Sequence, residues 1–279
     1  MDEKSLSETL MQWVLDAEHA WTPAELLREM GLATGASRRL LQGLLTSLVE
    51  KGELTYLVRH GRTCVQRGWQ KPLALGKKTQ LLAPGVSPLP DRVPVILLPG
   101  ASFGSGDHPT TRLCIEGIES MVKPGGRMLD VGTGTGVLAL TAVRHGMAEA
   151  LAVDNDPLAV HEAKENVRLN GLDHAVRVEA LWSPENQWDL VAANLRPPTL
   201  MELAEVLAEA LAPGGGLVLS GMREGEMGLV ARTYGALLRE RGAGKEKGWG
   251  SLLFTKEPQG SSPSEQTPPG SHHSNAGEA

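Results

Sequence analysis

Cysteine is nearly absent. The two present, Cys64 and Cys114, are too few for a disulfide framework and lie at none of the Cys-x-x-Cys or Cys/His spacings that suit zinc. They fit a reducing compartment, so a cytoplasmic location is expected and no metal site is assigned. Aromatic residues are scarce at 4%, with two phenylalanines and two tyrosines. No apolar run approaches the roughly 18 residues that span a bilayer, and the opening MDEKSLSETL has no apolar export core. No membrane partner is therefore expected. A general excess of positive charge is also missing: the net charge of -6 argues against a surface that clings everywhere to nucleic acid, while leaving room for a local basic patch.

What is present suffices for one large and one small domain, with 41% hydrophobic content over 279 residues. Residues 1–70 read as a small winged helix-turn-helix domain. Leu6, Leu10, Trp13 and Val14 fall at helical spacing; Thr22 caps a second helix with Pro23 in its first turn and an end near Gly31; a third runs from about Ser37 to Lys51. ELTYLVRHGRTCVQRGW then reads as two strands about His60-Gly61, the wing. Residues 71–92, with four prolines, are expected to be a linker. Residues 93–256 alternate short apolar runs with helical segments, the pattern of an α/β domain whose parallel sheet is covered on both faces. From Glu257 the chain has no large aliphatic or aromatic residue, and 257–279 is expected to be a disordered tail, His272-His273 included.

Chemistry concentrates where strands end. RMLDVGTGTGVLALTAV places Asp130 on a strand, then Gly132, Gly134 and Gly136 directly before an apolar helix. Backbone can lie close to a ligand there, and the helix start offers N–H groups. A dinucleotide fingerprint needs a third glycine at 137, where Val137 stands; the pattern is G-x-G-x-G. Asp154 ends the next strand, where a carboxylate can accept both hydroxyls of a ribose, and Asp156-Pro157 reads as a helix cap. Asn194 ends a later strand in AANLRPP. Its amide can accept from a substrate N–H, or it can simply satisfy loop backbone.

FGSGDHPTT, LDVGTGTG, AVDNDPLAVHEAKENVRLNG and AANLRPP occur in that order between Pro99 and Gly221. Together they resemble the methyltransferases of ribosomal protein L11, within the class I S-adenosylmethionine-dependent methyltransferases. The resemblance implies an α/β, Rossmann-like class I sheet and S-adenosyl-L-methionine as cofactor. It implies that the Phe103 loop folds over the cofactor, that Thr110 contacts it, and that Phe103 and His108 wall the space where the methyl group leaves. Asp154, with Asn155 beside it, would hold the ribose, and Asp130 the amino-acid end through the Gly132, Gly134 and Gly136 loop. Trp182 or Leu181 would cover the adenine, with Trp182 equally readable as core. Asn194 would sit against the cofactor and orient the acceptor amine, and His108 could take its proton.

Two departures bear on the acceptor. Arg196 stands where leucine is usual in the family, and residues 5–69 read as a winged helix where the family carries a ferredoxin-like substrate domain. The implied partner is a methyl acceptor, with a ribosomal protein first. Residues 33–70 carry six basic and two acidic side chains, including Arg38, Arg39, Arg59, Arg62 and Arg67, so nucleic acid is a second reading. In small-molecule O-methyltransferases such modules serve as dimerisation or lid units, which makes a homodimer and a small-molecule acceptor further readings. A regulator with a cofactor-sensing domain is the last.

Overall fold

The computed structural model describes residues 1–17, 20–59, 61–98, 108–182 and 187–258. Three helices open the chain: α1 (Glu3–Asp16), α2 (Pro23–Thr34) and α3 (Arg38–Glu50). Each begins where its sequence supplies a cap. Thr22 and Glu25 form a reciprocal capping box, and Ser37 accepts from the Leu40 amide. α2 passes Gly31 and stops at Gly35, whose φ of 70° gives the left-handed turn that ends helices. β1 (Leu54–Arg59) and β2 (Arg62–Arg67) pair antiparallel, and the Val65 amide donates to Trp21 O at 2.8 Å, which ties the hairpin back to the entrance of α2. Leu10, Leu26, Met30, Leu41, Leu45 and Leu54 give this unit a buried cluster of its own.

Residues 71–92, expected to be a linker, contain β3 (Leu73–Leu75) and β4 (Thr79–Leu82). β4 pairs parallel with β5 (Val93–Ile96), so VPVI belongs to a separate three-stranded sheet. Buried polar groups hold the segment. Gln80 bonds the backbone of Leu89 and Arg92, and the Glu119 carboxylate accepts from the amides of Lys77, Lys78 and Thr79. Prolines hid this order because their effect on φ was read without the side chains that satisfy the surrounding backbone.

The remaining elements are α4 (Pro109–Met121), β6 (Arg127–Val131), α5 (Val137–Arg144), β7 (Glu149–Val153), α6 (Pro157–Leu169), β8 (Val176–Glu179), β9 (Trp188–Asn194), α7 (Pro197–Glu202), α8 (Ala204–Ala210), β10 (Leu211–Arg223), α9 (Met227–Gly235), β11 (Arg239–Glu246) and β12 (Trp249–Thr255). Their seven strands form one sheet in the order β11-β12-β10-β9-β6-β7-β8. β6 to β10 run parallel, whereas β12 is antiparallel to both β10 and β11. The sheet is thus mixed, not wholly parallel, because the turn at Lys247-Gly248 closes a hairpin instead of a helical crossover. Alternation along each strand sends Met128, Ala150, Leu190 and Val218 to a layer with α4, α5 and α6, and Leu129, Leu151, Val191 and Leu217 to a layer with α7, α8 and α9. From β6 the chain winds outward to β7 and β8, then returns to place β9 on the other side of β6. That reversal opens a crevice beyond the carboxyl ends of β6 and β9.

Candidate active site

The crevice gathers most of the residues singled out in the sequence. On the β6 side, Asp130 is fully buried; its Oδ2 accepts from the Thr133 hydroxyl at 2.6 Å and from the Ala139 amide at 3.3 Å. Its Oδ1 is buried and has no hydrogen-bond partner among the described residues. Burial pushes its pKa up to about 7, against those two hydrogen bonds, and the negative charge of Asp154 adds to the rise. Gly134 donates its amide to Asp154 Oδ2 at 2.9 Å, and Asp156 donates to Asp154 Oδ1 at 3.0 Å. Each carboxylate oxygen keeps a lone pair for a further donor. Asn155 is exposed beside it, and Asp156 caps α6 by accepting from the Leu158 amide.

On the β9 side, the Asn194 amide nitrogen donates to Thr110 Oγ1 at 3.1 Å, and Asn194 Oδ1 is buried with no partner among the described residues. Thr110 is fully buried in the first turn of α4. His108 is the N-cap of that helix: its Nδ1 accepts from the Thr110 amide at 3.3 Å and lies 2.7 Å from Thr110 Oγ1. An amide can only donate, so Nδ1 carries no proton, and the Thr110 hydroxyl donates to it as well. The neutral imidazole then holds its proton at Nε2 and has its one lone pair in use, which argues against His108 as the group that takes the acceptor's proton.

Two glycines fix the turn that carries Asn194. A Cβ on Gly132 would stand 2.4 Å from Leu195 Cδ2, and one on Gly221 would stand 2.3 Å from Leu195 O. Both have positive φ, 74° and 90°, so the turn is gripped between the glycine loop and β10 where only glycine fits. The Leu195 amide also donates to Ser220 O at 3.1 Å. Arg196 is exposed at the N-cap of α7, with Pro197 and Pro198 beginning the helix.

Phe103 lies outside the described residues. Trp182 is half-buried and packs against the layer of α7, α8 and α9, while Leu181 beside it is 79% exposed. Several residues had no assigned role in the sequence. Trp249 of β12 meets the His108 ring edge-on, with centroids 4.6 Å apart, and Arg223 stacks 3.9 Å from the other ring centre. Asn166 and Asn170 lie one helical turn apart on α6. Asn166 donates to Thr135 O at 2.9 Å and accepts from the Leu98 amide at 2.9 Å, and Asn170 accepts from the Ile96 amide at 3.0 Å. Their i, i+4 spacing on an otherwise apolar face was the available signal.

The donor set suits a cationic nucleoside. Two carboxylates, close enough for one to raise the other's pKa, line the glycine loop and would repel a pyrophosphate, whereas the buried, unpartnered Asp130 Oδ1 favours positive charge.

Comparison with known proteins agrees. The family model for ribosomal protein L11 methyltransferase matches residues 66–257. The chain belongs to the ribosomal protein L11 methyltransferase family. Among curated members, that of Xylella fastidiosa is 38% identical over 208 residues, covering 67% of each chain. That of Ralstonia nicotianae is 44% identical over 153 residues, covering 53% of this chain and 49% of the relative. This chain thus spans about half to two thirds of the relatives it matches. The crystal structure of a ribosomal protein L11 methylase from Lactobacillus delbrueckii subsp. bulgaricus superposes with a TM-score of 0.61 at 25% identity, over 68% of this chain and 99% of that one. The sheet is that of a class I methyltransferase. The family match leaves out α1, α2, α3 and β1. Among the described residues, no helix is long and apolar enough to cross a membrane.

Proposed function

We propose that this protein is an S-adenosylmethionine-dependent methyltransferase that modifies an amine of a ribosomal protein. The observation that carries the reading is the buried, unpartnered Asn194 Oδ1 at the same switch point as Asp130 and the glycine loop. S-adenosylmethionine, when bound, supplies the methyl group as an electrophile on a sulfonium. Asp154 would accept the ribose hydroxyls, and Asp130 would balance the positive charge of the amino-acid end. Asn194 Oδ1 would accept an N–H of the incoming amine and so aim its lone pair. Desolvation of a lysine-type amine in the crevice favours the neutral, nucleophilic form. Alignment then supplies most of the rate gain.

Residues 1–70, in this reading, are a winged-helix module that docks the acceptor. Arg62 is paired with Glu25 at 2.6 Å, and Arg67 donates to Lys71 O at 3.0 Å. Two of the five arginines that suggested nucleic acid are therefore already engaged, which favours a protein acceptor.

Calorimetry with S-adenosylmethionine, followed by incubation with tritiated cofactor and large-subunit ribosomal proteins, tests the proposal. Binding and one labelled small ribosomal protein are expected. Label confined to metabolites of a cell extract would replace the protein acceptor with a small molecule, and absence of binding by folded protein would end the proposal.

A further inference from the structure

The Asn194 amide can serve an incoming amine only if its oxygen, not its nitrogen, faces it. The two ends of an amide have nearly the same shape, so packing alone sets this weakly; a hydrogen bond sets it firmly. Three groups in series provide that bond. His108 Nδ1 has to accept, because the Thr110 main-chain N–H points at it from 3.3 Å. The Thr110 hydroxyl, 2.7 Å from the same nitrogen, spends its one proton there and has only lone pairs left to offer Asn194. Asn194 answers with its NH2 group, at 3.1 Å, and its oxygen is turned the other way, buried and without a partner among the described residues. The helix cap thus dictates the direction of every bond in the series.

We propose that Thr110 is a positioning residue that fixes which end of the Asn194 amide meets the methyl acceptor, in a hydrogen-bond direction imposed by the His108 cap. The assignment rests on the methyl-transfer reading. It gives a role in the acceptor half of the site to a residue that family resemblance assigned to the cofactor. Without the hydroxyl, either end of the amide can face the crevice, and the rotamer presenting NH2 repels an N–H of the amine. The cofactor half, built by Asp130, Asp154 and the glycine loop, is untouched.

The test compares Thr110→Val, Thr110→Ala and Thr110→Ser with the wild type, using tritiated S-adenosylmethionine and recombinant ribosomal protein L11, with cofactor affinity measured by calorimetry. Thr110→Val keeps the shape of the side chain, and Thr110→Ala removes the hydroxyl without risk of crowding. Both are expected to lower kcat by about 10- to 100-fold, with cofactor affinity and acceptor KM changed less than about threefold. Thr110→Ser restores the hydroxyl and is expected to recover most of kcat. If the wild type labels the acceptor and the hydroxyl-free variants do so equally fast, the assignment falls while the methyl-transfer reading stands. If Thr110→Ser is as impaired as Thr110→Ala, the methyl group and its packing matter and the assignment again falls. If the wild type binds cofactor and labels nothing, the methyl-transfer reading fails and takes the assignment with it.

Discussion

The two halves of the crevice are built by different means. On the β6 side, backbone does the work: glycines with positive φ, amides aimed at Asp154, and a helix start. On the β9 side, side chains do it: Asn194, Thr110 and His108 bond in series, and Asn194 is carried on a turn squeezed between Gly132 and Gly221. A backbone-built half tolerates change only at glycines and carboxylates, and it should govern cofactor affinity. A half built from side chains is sensitive to the loss of single atoms, and it should govern turnover.

The strongest way to break that division is Asn194→Ala. Removing the amide leaves the amine unaimed, and a loss of about 10²- to 10³-fold in kcat is expected. Cofactor affinity should stay within about threefold. A calorimetric titration showing affinity lost in parallel with turnover would mean that the halves are not separable. Gly221→Ala comes next. At φ of 90° and with Leu195 O 2.3 Å from the new methyl group, the turn must shift, at a cost of about 3 kcal/mol. Denaturant unfolding measures this cost. The folded fraction should bind cofactor and turn over slowly; unchanged stability and rate would show that the turn is looser than its packing implies.

The same division explains what could be read from the sequence. The β6 half is local: Asp130, the three glycines and Asp154 fall within 25 consecutive positions, at spacings that backbone geometry dictates. Strands β6 to β10 were likewise visible as apolar runs, because both their faces are covered. The Asn194–Thr110 bond joins residues 84 positions apart, and no periodicity announces such a contact. Trp249 and Arg223 reach His108 only because β12 turns back beside β10. β11 went unread because RERGAGKE is a charged, glycine-containing edge strand with no apolar stripe. β3 and β4 lay hidden among prolines, their backbone satisfied by Gln80 and by Glu119 from a distant helix.

Asp154→Ala sharpens the comparison from the other side. It removes a carboxylate that accepts from Gly134 and Asp156 and has lone pairs for a ribose. Charged hydrogen bonds contribute about 1.5–3 kcal/mol, so cofactor affinity should fall about 10- to 100-fold. Under saturating cofactor, kcat should recover to within about threefold of wild type. A kcat that stays low at saturation would place Asp154 in the chemistry as well as in binding.

The gentlest test is a slope against pH, and it concerns Asp130. Burial holds its folded-state pKa near 7, against 3.8 for the ordinary side chain. Below about pH 4 the carboxyl is protonated in both folded and unfolded chains and contributes nothing to the difference. Between these values the unfolded chain releases the proton that the folded protein keeps, so stability must fall as pH rises, by at most about 1.4 kcal/mol per pH unit, and level off above 7. Asp130→Asn, which can still accept from Thr133 and Ala139, should flatten this slope in denaturant titrations at pH 5, 6 and 7 and be the more stable protein at pH 8. It should also bind the cationic nucleoside less tightly, and its affinity should lose the rise with pH that ionisation of Asp130 gives the wild type. A variant that flattens the stability slope without affecting that rise would show Asp130 to be a strained support of the loop whose charge the ligand does not sense, and the β6 half would then act through its backbone and Asp154 alone.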